Sequence, residues 1–180
     1  MTLPVSLTTF NVLGTISLFL FFLLIYLWST YNELVTKKNR VRTDFADIDV
    51  QLKRRASLID NLVDTVKAYA KHEEETFENV ARARSALESS RGARQTAEAE
   101  NALTQTLRSL FAVVENYPKL QASENFQQLR TDLKETENSI AHYREEYNQT
   151  VLSYNNLVQT FPNLLVAGLF RFESEELFQA

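Results

Sequence analysis

Residues 12–28 read VLGTISLFLFFLLIYLW, a run without a single charge, and the lead-in from Met1 is uncharged too. As a helix rising about 1.5 Å per residue this run covers roughly 26 Å, and a start near Leu7 extends it to roughly 33 Å, enough to cross a hydrocarbon core. It is read as a transmembrane helix. Trp28, with Tyr26 and Tyr31, falls where aromatic rings favour the water interface, and the first charge, Glu33, follows closely. A cleaved secretory signal would need a basic leader and a small-x-small site; residues 1–11 hold no Lys or Arg, and residues 26–32 offer no such site. The absence of cysteine excludes a lipoprotein anchor and disulfides. Lys37, Lys38, Arg40 and Arg42 all follow the span and none precedes it, so the short N-terminus is expected outside and the bulk of the chain in the cytoplasm. That is the topology of a single-pass membrane protein.

Three glycines and three prolines punctuate 180 residues, too few turn residues for a sheet protein, so the class is all-α. Three segments are expected: an anchor at 1–30, a helical bundle at 31–161 and an apolar and acidic tail at 162–180. The net charge of −4 is mixed in sign along the helices and presents no basic face to nucleic acid.

Beyond Tyr31 the apolar steps are Leu34, Val41, Phe45, Ile48, Leu52, Ile59, Leu62, Val66 and Tyr69, with Lys38 and Arg55 filling the gaps. Steps of three and four make a heptad seam. No glycine or proline interrupts it before Gly92, so the membrane helix is expected to run directly into a long cytoplasmic helix, continuous or kinked near 57–62; a turn there would give a four-helix count. A turn at 88–92 leads to a second helix at about 94–116, ended by Tyr117 and Pro118. A third helix opens near Ser123 with the seam Phe126, Leu129, Leu133, Thr136, Ile140, Tyr143, Tyr147, Val151, Tyr154, Val158 and Phe161, and Pro162 stops it. A lone striped helix cannot bury its stripe, so the helices should fold back into an elongated antiparallel, up-and-down bundle continuing from the transmembrane helix.

Two residues on the first seam are basic. Lys38 is expected to snorkel towards lipid phosphates. Arg55 is expected either to pair with an acid of a facing helix or to act as a polar device that fixes helix register or receives a partner's carboxylate. Leu164, Leu165, Leu169, Phe170 and Phe172 of the tail are too apolar to be left in water and should dock on the bundle, a neighbouring subunit or the membrane interface. Packing on the membrane-proximal bundle or a neighbour is preferred, with the acids of 173–176 turned to water or towards the basic cluster.

Chemistry has little support. Tyr69 and Ser139 stand three residues before His72 and His142, so neither histidine completes the Glu-x-x-His of a di-metal bundle; no metal or cofactor is expected. The isolated glycines build no phosphate loop and no nucleophile elbow is present. Tyr143, Tyr147 and Tyr154, spaced by helical steps, read as helix contacts with hydroxyls at the rim rather than as a ligand platform.

Several stretches resemble the LemA family: YNELV at 31–35, IDVQLKRR at 48–55, NLVDTVK at 61–67 with 69–73, LFAVVENYP at 110–118, ENF at 124–126, TEN at 136–138, YN at 147–148 and 154–155, and FP at 161–162. Asp60, Arg171 and the acidic 173–176 depart from the family's usual proline, glycine and mixed tail. The resemblance implies a helical bundle tethered to the inner membrane, with some relatives linked to shaping internal bacterial membranes, and brings no enzymatic activity. The expected function is a non-enzymatic scaffold whose partners are the lipid bilayer and either further copies of itself or another membrane protein. The rival is an adaptor that docks a membrane protease or sensor kinase.

Overall fold

A computed structural model describes residues 7–179; the lead-in at 1–6, part of the expected anchor, and Ala180 of the tail lie outside the described residues. Among the described residues six helices follow in order: α1 (Leu7–Lys67), α2 (Glu74–Ser89), α3 (Gly92–Val114), α4 (Pro118–Gln121), α5 (Glu124–Gln159) and α6 (Asn163–Phe170). No strand occurs among the described residues. The all-α class, with a long apolar N-terminal helix and bundle packing, is as expected.

The first helix differs from its expected length. α1 passes 57–62 unbroken but ends at Lys67, and the chain turns at 68–73 before α2 begins. Tyr69 and Ala70 both donate their backbone N–H to the Val66 carbonyl, at 3.0 and 2.9 Å. No glycine or proline marks this turn. Its cause is tertiary: Phe77, Val80, Ala83 and Leu87 carry their own apolar stripe, and only by folding back can that stripe meet the seam of α1. Accordingly the last buried step is Ala70, whereas Tyr69 is exposed.

The contacts group the chain into two compact units, residues up to Asn39 with Ser153–Ser174, and Arg40–Leu152 with Glu175–Ala180. In the second unit four helical segments run alternately up and down. Arg84 pairs with Asp60 and Lys67 lies over the Phe77 ring, which sets α2 antiparallel to α1. Thr150 bonds Asp44 at 2.6 Å and Asn125 bonds Thr65 at 3.1 Å, so α5 also runs opposite to α1. Phe111 meets Phe126 and Arg144 meets Glu100, so α3 and α5 are antiparallel as well. The core joins Ile48, Leu52, Ile59 and Leu62 to Leu103, Leu107, Leu110, Leu129, Leu133 and Ile140. Each such side chain contributes about 1.5–3 kcal/mol when fully buried. Gly92 opens α3 at φ +76°, a backbone conformation in which a Cβ is strained. Pro118 opens α4, and the Ser123 hydroxyl accepts the Phe126 N–H at 3.4 Å to start α5.

In the first unit, Leu34 of α1 is fully buried and Lys37 donates to the Ser153 hydroxyl of α5 at 3.1 Å. The Phe161–Pro162 peptide is cis, and α6 follows at once, burying Val166 and Ala167. Arg171 ends α6 in the left-handed conformation, φ 58° and ψ 42°, while Phe172 N–H closes the turn on the Ala167 carbonyl at 2.9 Å. Glycine adopts that conformation freely, whereas a residue with a Cβ is strained in it.

Candidate functional site: an apolar anchor and a buried ion-pair cluster

From Phe10 to Ile25 the large apolar side chains of α1 all point outward; none is buried by the chain itself. One helix among the described residues is long and apolar enough to cross a membrane, and its most apolar window is 0% buried. A run this greasy and this uncovered requires a nonaqueous surrounding. At its end Trp28 is 70% exposed, and the Tyr26 hydroxyl donates to Asn163 Oδ1 at 2.6 Å. The Tyr31 ring packs edgewise on Phe170 and Phe172, with centroids 4.8 and 5.8 Å away. Further along α1, Lys37 and Lys38 are half-buried, Arg40 bonds Asp44 at 2.8 Å and Arg42 is exposed.

Within the tail, Phe172 is half-buried, whereas Leu164, Leu165, Leu169 and Phe170 remain exposed. The chain covers its tail mainly through Val166, Ala167 and, in the second unit, Phe178. Phe178 lies under the Arg144 guanidinium at 4.8 Å and edge-on to Tyr147. Asn148 clamps it by accepting the Phe178 N–H at 2.7 Å. The tyrosine hydroxyls hold tail backbone: Tyr147 donates to the Glu176 carbonyl at 2.8 Å, and Tyr154 donates to the Glu173 carbonyl at 3.0 Å. Burial, then the nearby charges of Glu175 and Glu176, push the Tyr147 hydroxyl up from 10.0 to about 12.

Arg55 is buried, and its carboxylate partner comes from its own chain. It donates to Glu100 Oε1 of α3 at 2.5 Å and to the Thr104 hydroxyl at 3.2 Å, while Arg144 of α5 lies 3.7 Å from the other Glu100 oxygen. One buried acid thus ties α1, α3 and α5 at a single level. Arg55 Nε has no hydrogen-bond partner among the described residues. Beside it a cleft of about 560 Å³ is lined by Leu107, Phe111 and Phe126, by Arg108, Arg130 and Lys134, and by Glu115 and Glu137. Sequence reasoning passed over Glu100 and Asp44, both buried. Each sits on a seam step, Glu100 three residues before Leu103 and Asp44 three after Val41, and that spacing was the available signal. His142 lies 3.6 Å from Glu146 and against the Tyr143 ring, and the described residues gather no group of three or more metal-ligating side chains.

This constellation defines a membrane-associated helical-bundle protein. The family model of the LemA family matches residues 44–180, and the chain belongs to that family. Among curated relatives, it is 27% identical over 175 residues to magnetosome protein MamQ 2 of Paramagnetospirillum magneticum, covering 83% of this chain and 64% of the relative. Magnetosome protein MamQ of Magnetospirillum gryphiswaldense is 24% identical over 174 residues, covering 82% and 64%. Protein LemA of Metamycoplasma hominis is 27% identical over 151 residues, covering 83% and 68%. The chain thus spans less than two thirds of the length of the magnetosome proteins it matches.

Proposed function

We propose that the chain is a non-enzymatic scaffold held in the bacterial inner membrane by α1, with its N-terminus outside and residues 31–161 in the cytoplasm, working through helix-helix contacts with further copies of itself. The observation that carries this reading is the uncovered apolar stretch of α1, which continues without a break into a helix whose far part is bundle core. The basic residues 37–42 supply the orientation. Organising a membrane is the role that the LemA resemblance implies for this chain, and two of its relatives are named as magnetosome proteins. Size analysis of the detergent-solubilised full chain tests it: large assemblies of this chain alone support a scaffold, and a monomer at native concentration contradicts it.

A second reading, an adaptor for another membrane protein, is favoured by the cleft beside Arg55. Its apolar lining and its excess of cations, Arg108, Arg130 and Lys134 against Glu115 and Glu137, suit an acidic amphipathic helix. Co-purification of a different protein in fixed stoichiometry, lost on Arg108→Glu with Arg130→Glu, would support it.

A further inference from the structure

The turn joining α5 to α6 leaves Phe161 74%, Leu165 65% and Leu169 69% exposed, with Leu164 and Phe170 each 49% exposed. Within α6 a step of four places Leu165 and Leu169 in one row, while Val166 and Ala167 face the chain. α6 itself carries no charge.

Contacts within the first unit fix the level of this patch along α1. Asn163 is bonded to Tyr26, two residues on the span side of Trp28, and Phe170 packs on Tyr31, three residues beyond it. At about 1.5 Å per residue, α6 therefore reaches from roughly 3 Å inside the level of Trp28 to roughly 4.5 Å outside it. That is the zone where an interfacial helix lies. The open face of α6 is also continuous with a surface already in need of cover, the bare side chains of α1 up to Trp28. The charges are carried away from this zone. Arg171 turns the chain through its left-handed conformation, and Glu173 is held by its carbonyl to Tyr154, beside the Ser153 that pairs with Lys37. Lys37 lies nine residues past Trp28, roughly 13 Å further from the span.

We infer that α6, together with Phe161, is a second membrane contact, an interfacial wedge whose Leu164, Leu165 and Leu169 lie among lipid headgroups and upper acyl chains beside the α1 span. This rests on the anchor reading above and goes beyond it, since a single-pass anchor needs no second lipid contact. The wedge would fix the rotation of α1 about its axis and the distance of the first unit from the bilayer.

The chain has no cysteine, so an introduced thiol can be labelled alone. The full chain carrying Leu165→Cys, Leu169→Cys, Leu24→Cys or Gln149→Cys is labelled with an environment-sensitive fluorophore in phosphatidylglycerol and phosphatidylethanolamine vesicles and quenched with brominated lipid or aqueous iodide. Labels at positions 165 and 169 are expected to be quenched by brominated lipid, as at 24, and protected from iodide, which should quench at 149. Quenching at 24 by lipid but at 165 and 169 by iodide overturns the wedge and leaves the anchor intact. Protection from both quenchers that disappears on dilution into excess lipid assigns the face to a second copy and also overturns the wedge. Iodide quenching at 24 overturns both readings.

Discussion

Removing the carboxylate of Glu100 strands Arg55, which is 3% exposed and already has one nitrogen without a partner. Glu100→Ala is expected to cost about 3–5 kcal/mol, whereas Arg55→Met combined with Glu100→Met should lose far less, because an apolar pair leaves no buried charge. Urea unfolding of the detergent-solubilised variants checks the contrast; equal losses would mean that the ion pair is wet. Tyr147 gives a second residue-scale expectation. Its hydroxyl is raised from 10.0 to about 12, so its contribution to stability is complete below pH 10 and fades as pH rises through 12. Tyr147→Phe should remove that alkaline loss while costing about 1 kcal/mol at neutral pH for the bond to the Glu176 carbonyl. Unfolding curves of both forms on either side of pH 10 measure it. Arg55 was legible because it interrupts an otherwise apolar seam, but its partner was not. Glu100 lies ahead of the large apolar residues of α3, on a face that the small side chains of Ala93, Thr96 and Ala97 carry back to the start of the helix.

At the scale of elements, two turns place residues at positive φ with opposite fitness. Gly92 at φ 76° is a glycine where one is needed, with open space around the site of a Cβ; Arg171 at φ 58° is a branched-free but Cβ-bearing residue in the same region. Gly92→Ala is expected to lower stability by about 1 kcal/mol and Arg171→Gly to raise it by up to about 1 kcal/mol, purely through the backbone. Thermal unfolding of the two variants should shift in opposite directions, and shifts of the same sign would refute the shared cause. The break at 68–73 shows the limit of local reading. Ala68, Tyr69, Ala70, Lys71, His72 and Glu73 include no helix breaker, and the heptad phase passes through them. Only the need of α2's stripe for a partner turns the chain there. Pro118 and Pro162, by contrast, announced the end of α3 and of α5 within a few residues, since proline constrains the backbone whatever the tertiary context.

For the whole molecule, the sequence speaks most clearly where the environment is most extreme. An uncharged run as long as 12–28 has few physical solutions, so the apolar part of α1 was legible from hydropathy alone. The tail was less so, because the same leucines and phenylalanines serve a bundle, a second copy or a lipid surface equally well; the exposure of Leu165 and Leu169 decides the direction in which they look. The basic residues 37–42 lead to the expectation that a reporter fused after residue 180 reads cytoplasmic, and a periplasmic reading would reverse the proposed orientation. Anchoring itself is tested most directly by alkaline carbonate extraction of the full chain from vesicles followed by flotation, beside a variant carrying Phe21→Lys and Leu24→Lys. Each lysine near the centre of a span costs about 2.5–3.5 kcal/mol. The expected result is that the full chain floats with lipid after extraction and the variant does not; a full chain left in the soluble fraction would contradict membrane anchoring through α1.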